Sequence, residues 1–261
     1  MAVAREDPST SVTSTSVETA LDLPSTGSAT INGVELPAGT NVADRYWITD
    51  AAVDNAAEVW EALVTEYPLS GLFPVLVDPM PSINGQVWLR AEEEFPPLEI
   101  AEVRGADVLE LLRQLWDDAD VPSSLRGGLP DEFPQLAEAA SNTDVGVVAA
   151  EQRGSAYLAL AKVDNPGDIL AVIGWWSNGI TTLQAAAITG SWYDRFGALP
   201  FMIGLSTLEM TSGRVPLDDR NRLLLAGEIY AFTADLQLGE SVPVESIVDS
   251  LDEPTRYFWW D

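Results

Sequence analysis

The stretch that decides the fold runs from residue 155 to residue 203, SAYLALAKV DNPG DILAVIGWW SNGI TTLQAAAITGSWYDRFG ALPFMI. Residues 155–163 and 169–175 look like adjacent strands, split by the turn residues Asp164, Asn165, Pro166 and Gly167. Residues 181–196 read as a helix, and Gly197 is well placed as its C-cap. Two further strands are predicted over 201–203 and 207–210. A strand, helix, strand order implies a right-handed crossover onto a parallel neighbour.

Working outward, Pro216 sits at a helix start, with Asp218 and Asp219 in a first turn that favours acids. Leu225, Ile229, Phe232 and Leu236 stripe that helix. A short helix over 246–251 and an aromatic strand or plug over 257–260 finish the chain. Upstream, 29–36 reads as a strand with an Asn32-Gly33 hairpin turn, and 46–48 as another strand. Thr49 or Asp50 is expected to cap a helix whose apolar face is Val53, Ala56, Ala57, Trp60, Leu63, Val64 and Tyr67, ended by Pro68 and Gly71. Residues 72–77 form a short apolar run, read as a buried strand broken by Asp78-Pro79-Met80-Pro81. A helix over about 106–119 presents Val108, Leu111, Leu112, Leu115 and Trp116 to the core, and a short helix is expected over 133–140. Residues 121–134 read as a loop or linker.

The fold expected from these elements is α/β in the mixed α+β sense: a central mixed sheet flanked by amphipathic helices. Residues 1–28 are expected to be a flexible, disordered-like tail, because residues 9–17 hold seven Ser or Thr and no apolar period. The remainder divides into an acidic region, 29–150, and a C-terminal domain, 151–261.

Composition narrows the chemistry. The chain has no Cys and no His, so disulfides, thiolate nucleophiles and imidazole bases or ligands are excluded. Thirteen basic residues face 41 acidic ones, for a net charge of −28. Residues 1–150 carry −20 of this and residues 151–261 carry −8. Such a field repels a phosphate backbone and an anionic bilayer, so neither nucleic acid nor membrane is expected as a partner. It steers basic proteins instead, although acidity also serves plain solubility. No run long enough to span a bilayer and no secretory leader is visible, which points to the cytoplasm.

Three constellations merit weighing. Glu92, Glu93 and Glu94 lack the spacing of a calcium loop, so no metal site is assigned to them. They begin the densest acidic stretch, which continues through Asp107, Glu110, Asp117, Asp118 and Asp120 and is the candidate surface for a basic partner. The loop 174–179 could place a ligand at a helix N-terminus, or be a plain turn. Finally, Trp192, Asp194, Arg195, Glu228 and Asp235 could form a carboxylate-based binding site, or a buried structural cluster in which Arg195 neutralises an acid. Trp259 and Trp260 could anchor an interface or pack the core. No residue is assigned as catalytic and no cofactor is expected.

Residues 168–261 resemble the bacterial domain-of-unknown-function family numbered 4253. The resemblance rests on ILAVIGW at 169–175, SWYDRFGA at 191–198, TLEM at 207–210, GEIYAF at 227–232 with Asp235, and FWWD at 258–261. GLFPVL at 71–76 looks like a Gly-Leu-Trp-Pro piece found ahead of that domain. Family members often carry His and Cys where this chain has Ile229 and Thr233. If relatives use those groups chemically, this chain has lost them; if the motif is structural, the exchange is tolerable. The leading expectation is therefore a non-enzymatic module that binds a basic protein partner, as small acidic immunity proteins do. The alternatives are a small-ligand binder or carboxylate-based enzyme using Asp194, Arg195, Glu228 and Asp235, and a DNA mimic.

Overall fold

The computed structural model describes residues 21–79, 96–118, 132–136, 154–233 and 244–260. Eight strands form one mixed sheet: β1 (Gly27–Ile31), β2 (Val34–Val42), β3 (Tyr46–Thr49), β4 (Leu72–Val77), β5 (Tyr157–Lys162), β6 (Pro200–Ile203), β7 (Thr207–Thr211) and β8 (Thr255–Trp259). Their spatial order is β1-β2-β3-β5-β4-β6-β7-β8. Among the described strands only β4 and β6 pair in parallel. Seven helices among the described residues accompany the sheet: α1 (Ala56–Ser70), α2 (Ile100–Gly105), α3 (Val108–Asp118), α4 (Asp168–Ile173), α5 (Thr182–Phe196), α6 (Asp219–Phe232) and α7 (Val244–Ser250). This is the mixed α+β arrangement expected from the sequence.

The centre of the sheet is buried on both faces, which explains its continuous apolar runs. Every residue of β4 is buried. Phe73, Val75, Val77, Ala159 and Ala161 point to the larger core, shared with α3 to α7. Leu72, Leu76, Leu158 and Leu160 point to a second core under α1, with Trp47, Trp60 and Phe201. The first hairpin closes through Asn32 and Gly33, both with positive φ (46° and 92°), the backbone an Asn-Gly turn supplies. Residues 21–28, read as tail, join the structure: Leu21 donates its N–H to the Ser70 carbonyl, and Leu21 and Leu23 pack on the α1 core.

Five further expectations change. Residues 169–175 do not form a strand: 168–173 is helix α4, closed by Gly174 in the left-handed conformation (φ 74°). The reason is topological. β5 is already paired with β3 on one edge and β4 on the other, so no edge is left for a following strand. The Asn165 side chain then turns the chain into a helix, its Oδ1 accepting from the Gly167 N–H at 2.9 Å. The crossover changes with it, because the parallel neighbour of β6 is β4 and not the strand preceding it in sequence.

Helix α1 begins at Ala56 rather than after Asp50, since Val53 is held in a bridge with Ala156. It runs through Pro68 to Ser70, where Gly71 (φ 69°) ends it. The predicted helix over 106–119 is in fact two, with Ala106 extended (ψ 139°) between them. The Asp107 Oδ1 accepts from the Glu110 N–H at 3.2 Å and so starts α3. Residues 133–136 carry no helix, and the rest of that predicted segment lies outside the described residues.

The C-terminal elements follow the expected order, although α6 starts at Asp219 rather than near Pro216, and Leu236 of its predicted stripe lies outside the described residues. Thr181 and Gln184 form a reciprocal capping box on α5, and Gly197 (φ 72°) ends it. Asp218 caps α6. Trp260 is core, meeting Trp175 edge to face at 5.6 Å and donating its indole N–H to the Phe232 carbonyl, whereas Trp259 is partly exposed. A Cβ at Gly167 would collide with the Gly190 backbone, where α4 and α5 meet. Gly167→Ala is therefore expected to cost about 1–3 kcal/mol by urea denaturation, in line with overpacking elsewhere. Gly105→Ala, with open space around its Cβ, should leave the midpoint nearly unchanged.

Candidate functional site

Helix α5 carries three of the residues singled out from sequence, and its two sides divide them. On the α6 side, Arg195 reaches Glu228 through two parallel bonds, Nη1 to Oε1 at 2.9 Å and Nη2 to Oε2 at 2.7 Å. The Trp192 indole N–H donates to the same Oε2 at 2.8 Å. Glu228 is 2% exposed and Arg195 19%. The Arg195 Nε donates to the Ser191 hydroxyl, and its guanidinium lies over the rings of Phe133 and Phe196 at 4.5 and 4.7 Å. Trp192 packs on Phe232 and Phe258. Both Glu228 oxygens are thus occupied by fixed donors, the condition for burying a carboxylate at all. This arrangement ties α5 to α6; it encloses the carboxylate between the two helices.

Asp194 points the other way. Its Oδ1 accepts from the Asn165 amide at 2.9 Å, beside the start of α4. Asp235 lies outside the described residues. The structure therefore brings Trp192, Arg195 and Glu228 together and leaves Asp194 apart from them.

Asp194 borders a second ionic group that sequence reasoning missed. Asp168, 3% exposed, receives the Arg104 guanidinium at 2.6 Å from Nη2, with Nε at 3.2 and 3.3 Å from its two oxygens. Burial pushes the Asp168 carboxyl above its ordinary range, against the pull of Arg104. The hydrogen bond to Asp168 raises Arg104. Tyr67 donates its hydroxyl to the Val163 carbonyl at 2.9 Å, and burial, with Tyr193, Asp164 and Asp168 nearby, pushes its pKa well up. The group joins α1, α2, α4 and α5. Its only local signal is the Asn-Pro-Gly-Asp turn; Arg104 lies 64 residues away in sequence from Asp168. Among the described residues no set of three or more His, Cys, Asp or Glu is placed to hold a metal ion.

The positions where relatives often carry His and Cys are interior. Ile229 faces Trp192, Met210 and Phe258 around a small enclosed hollow, and Thr233 is buried, its hydroxyl donating to the Ile229 carbonyl. Arg256 borders the same hollow, where burial lowers its pKa to about 10. Its Nη2 donates to the Leu251 carbonyl.

The proposed partner surface is in part described. Asp107, Glu110 and Asp117 are exposed on α3 or at its start, joined by Glu99 and Glu102 around α2. Asp118 ends α3, its side chain outside the described residues, as are Glu92, Glu93, Glu94 and Asp120. No helix among the described residues is long and apolar enough to cross a membrane.

Fold and site thus define a mixed α+β protein whose C-terminal half is organised by a buried Arg–Glu–Trp constellation. Residues 157–261 match the family model described as Domain of unknown function (DUF4253), so the resemblance read from 168 onward holds and extends upstream to β5. Comparison with curated proteins and with solved structures found no match.

Two outcomes follow. Arg195→Leu should cost about 3–5 kcal/mol in urea denaturation, the range for stranding one charge of a buried pair, while Arg195→Leu combined with Glu228→Leu should recover part of that loss. Asp168 holds its proton more tightly folded than unfolded, so its contribution favours folding most in acid and fades as pH rises through its raised folded value. Urea midpoints of wild type and Asp168→Asn, compared at pH 4 and pH 7 (about the unfolded pKa of Asp and neutrality), should show the wild type gaining relative to the variant at the lower pH.

Proposed function

We propose that this protein is a cytoplasmic, non-enzymatic binding module that holds a basic protein against the acidic face of α2 and α3, as an immunity protein holds its target. The observation that carries the reading is how charge is disposed there. The two arginines of the segment are engaged with carboxylates: Arg104 with Asp168, and Arg113 with Glu110. Glu99, Glu102, Asp107 and Asp117 remain exposed beside them. A surface of one sign raises the encounter rate with a partner of the other sign and fixes its orientation. The apolar side of α3 is spent on the core, through Leu111, Leu112, Leu115 and Trp116, so recognition by this face is electrostatic.

The division of the carboxylates in the C-terminal half supports the same reading over a carboxylate-based enzyme. Acid–base chemistry needs an acid and a base within reach of one substrate. Glu228 is enclosed by its donors, and Asp194 lies on the opposite side of α5.

The immobilised full chain should capture a basic protein from source lysate at low ionic strength. Salt should release it as the Debye length shrinks from about 10 Å at 0.1 M to about 3 Å at 1 M. Replacing Glu99, Glu102 and Asp117 together by Lys, none of which caps a helix through its side chain, should abolish capture without moving the urea midpoint. Capture that ignores both salt and this triple change would refute the proposal.

A further inference from the structure

A cleft of about 510 Å³ opens at the end of the sheet where β3 leaves its turn and β5 stops. Its charged lining includes Arg45 and Lys162. The β3–β5 ladder ends at Tyr46 and Ala161, and the next residue of each chain segment, Arg45 in the turn before β3 and Lys162 at the end of β5, lines the cleft. Like charges brought to one cleft repel. Lys162 has a partner in Asp22, at 3.2 Å, but that carboxylate is 99% exposed and an exposed pair of this kind contributes little. Arg45 has no carboxylate within ion-pair distance among the described residues. Its guanidinium sits 5.8 Å from the centre of the Tyr46 ring, and its Nη1 is buried without a hydrogen-bond partner. In a chain with 41 acids and 13 bases, two cations so thinly neutralised in the lining of one cleft offer a place for an anion.

The rest of the lining restricts which anion. Leu98, Ile100 and Val172 form an apolar wall. Asp22, Asp44 and Glu99 also line it, all three exposed. Those carboxylates oppose a polyanion such as a phosphate ester, whose second charge would meet them. They tolerate a single negative charge seated on Arg45 and Lys162. Pockets of this size suit small organic molecules with a few fixed polar contacts.

We infer that this cleft binds a small monocarboxylate with an apolar body, its carboxylate held between Arg45 and Lys162 and its hydrocarbon against Leu98, Ile100 and Val172. The site is independent of the acidic-face reading, since it rests on Arg45 and Lys162, which are not part of that face.

Calorimetric titration of the full chain with 4-methylpentanoate, leucine, leucinamide and inorganic phosphate tests it. Saturable binding of 4-methylpentanoate is expected, with none of leucinamide, which has the same body but no carboxylate. Arg45→Gln should weaken binding roughly tenfold or more, the loss of a charged hydrogen bond. Lys162→Gln should weaken it as well, and provides the reading if Arg45→Gln does not fold. Arg214→Gln, an exposed arginine outside the cleft, should leave affinity unchanged. Failure of both carboxylates to bind, equal binding of leucinamide, tighter binding of phosphate, or affinity indifferent to both cleft variants would each overturn the inference.

Discussion

Strand β5 takes hydrogen bonds on both edges from strands that lie more than eighty residues earlier in the chain, β3 and β4. The rest of the architecture depends on that insertion. It places residues from the first and last parts of the sequence in one sheet, with Trp47 beside Leu160 and Phe73 beside Ala161. It fills the sheet centre, so the chain leaving β5 must turn away into α4. It also sets the close approach of α4 to α5 at Gly167 and Gly190, and with it the positions of Asn165, Asp168 and Asp194. A family match that begins at Tyr157 therefore covers a segment whose first strand is completed by residues outside it.

Elements governed by local chemistry were legible in the sequence. The Asn32-Gly33 turn, the buried run of β4 and the C-cap at Gly197 each announce themselves within a few residues. What local chemistry leaves open is whether a short, wholly buried apolar run is strand or helix. Residues 169–173 satisfy both, since neither a polar face nor a period distinguishes them. Their state was decided by occupancy of the neighbouring edges, which no window of sequence contains. The candidate site shows the same limit. Adjacency in sequence put Asp194 and Arg195 together, but successive positions on a helix point about 100° apart, and the two side chains serve different neighbours. The Arg104–Asp168 pair has no sequence signature because it joins elements that meet only in the folded sheet.

Charge in this protein is allotted by depth. Interior carboxylates are few and individually matched: Glu228 by a guanidinium and an indole, Asp168 by Arg104. The exposed ones around α2 and α3 are left for solvent or a partner. The missing His and Cys fit this division, because Ile229 and Thr233 stand where a titrating group would have no exit to water. A net charge of −28 is thus compatible with a core in which Glu228 and Asp168 are each met by an arginine.

The insertion of β5 also bears on how the chain is made. During synthesis β3 and β4 emerge long before the strand that joins them, and both then expose unpaired edges and apolar faces. Contacts such as Tyr46 with Ala161 must wait until 115 further residues have been added. Over that interval the nascent chain is the part of the protein that carries −20. Self-repulsion among such chains on neighbouring ribosomes opposes edge-to-edge association while the central strand is still missing.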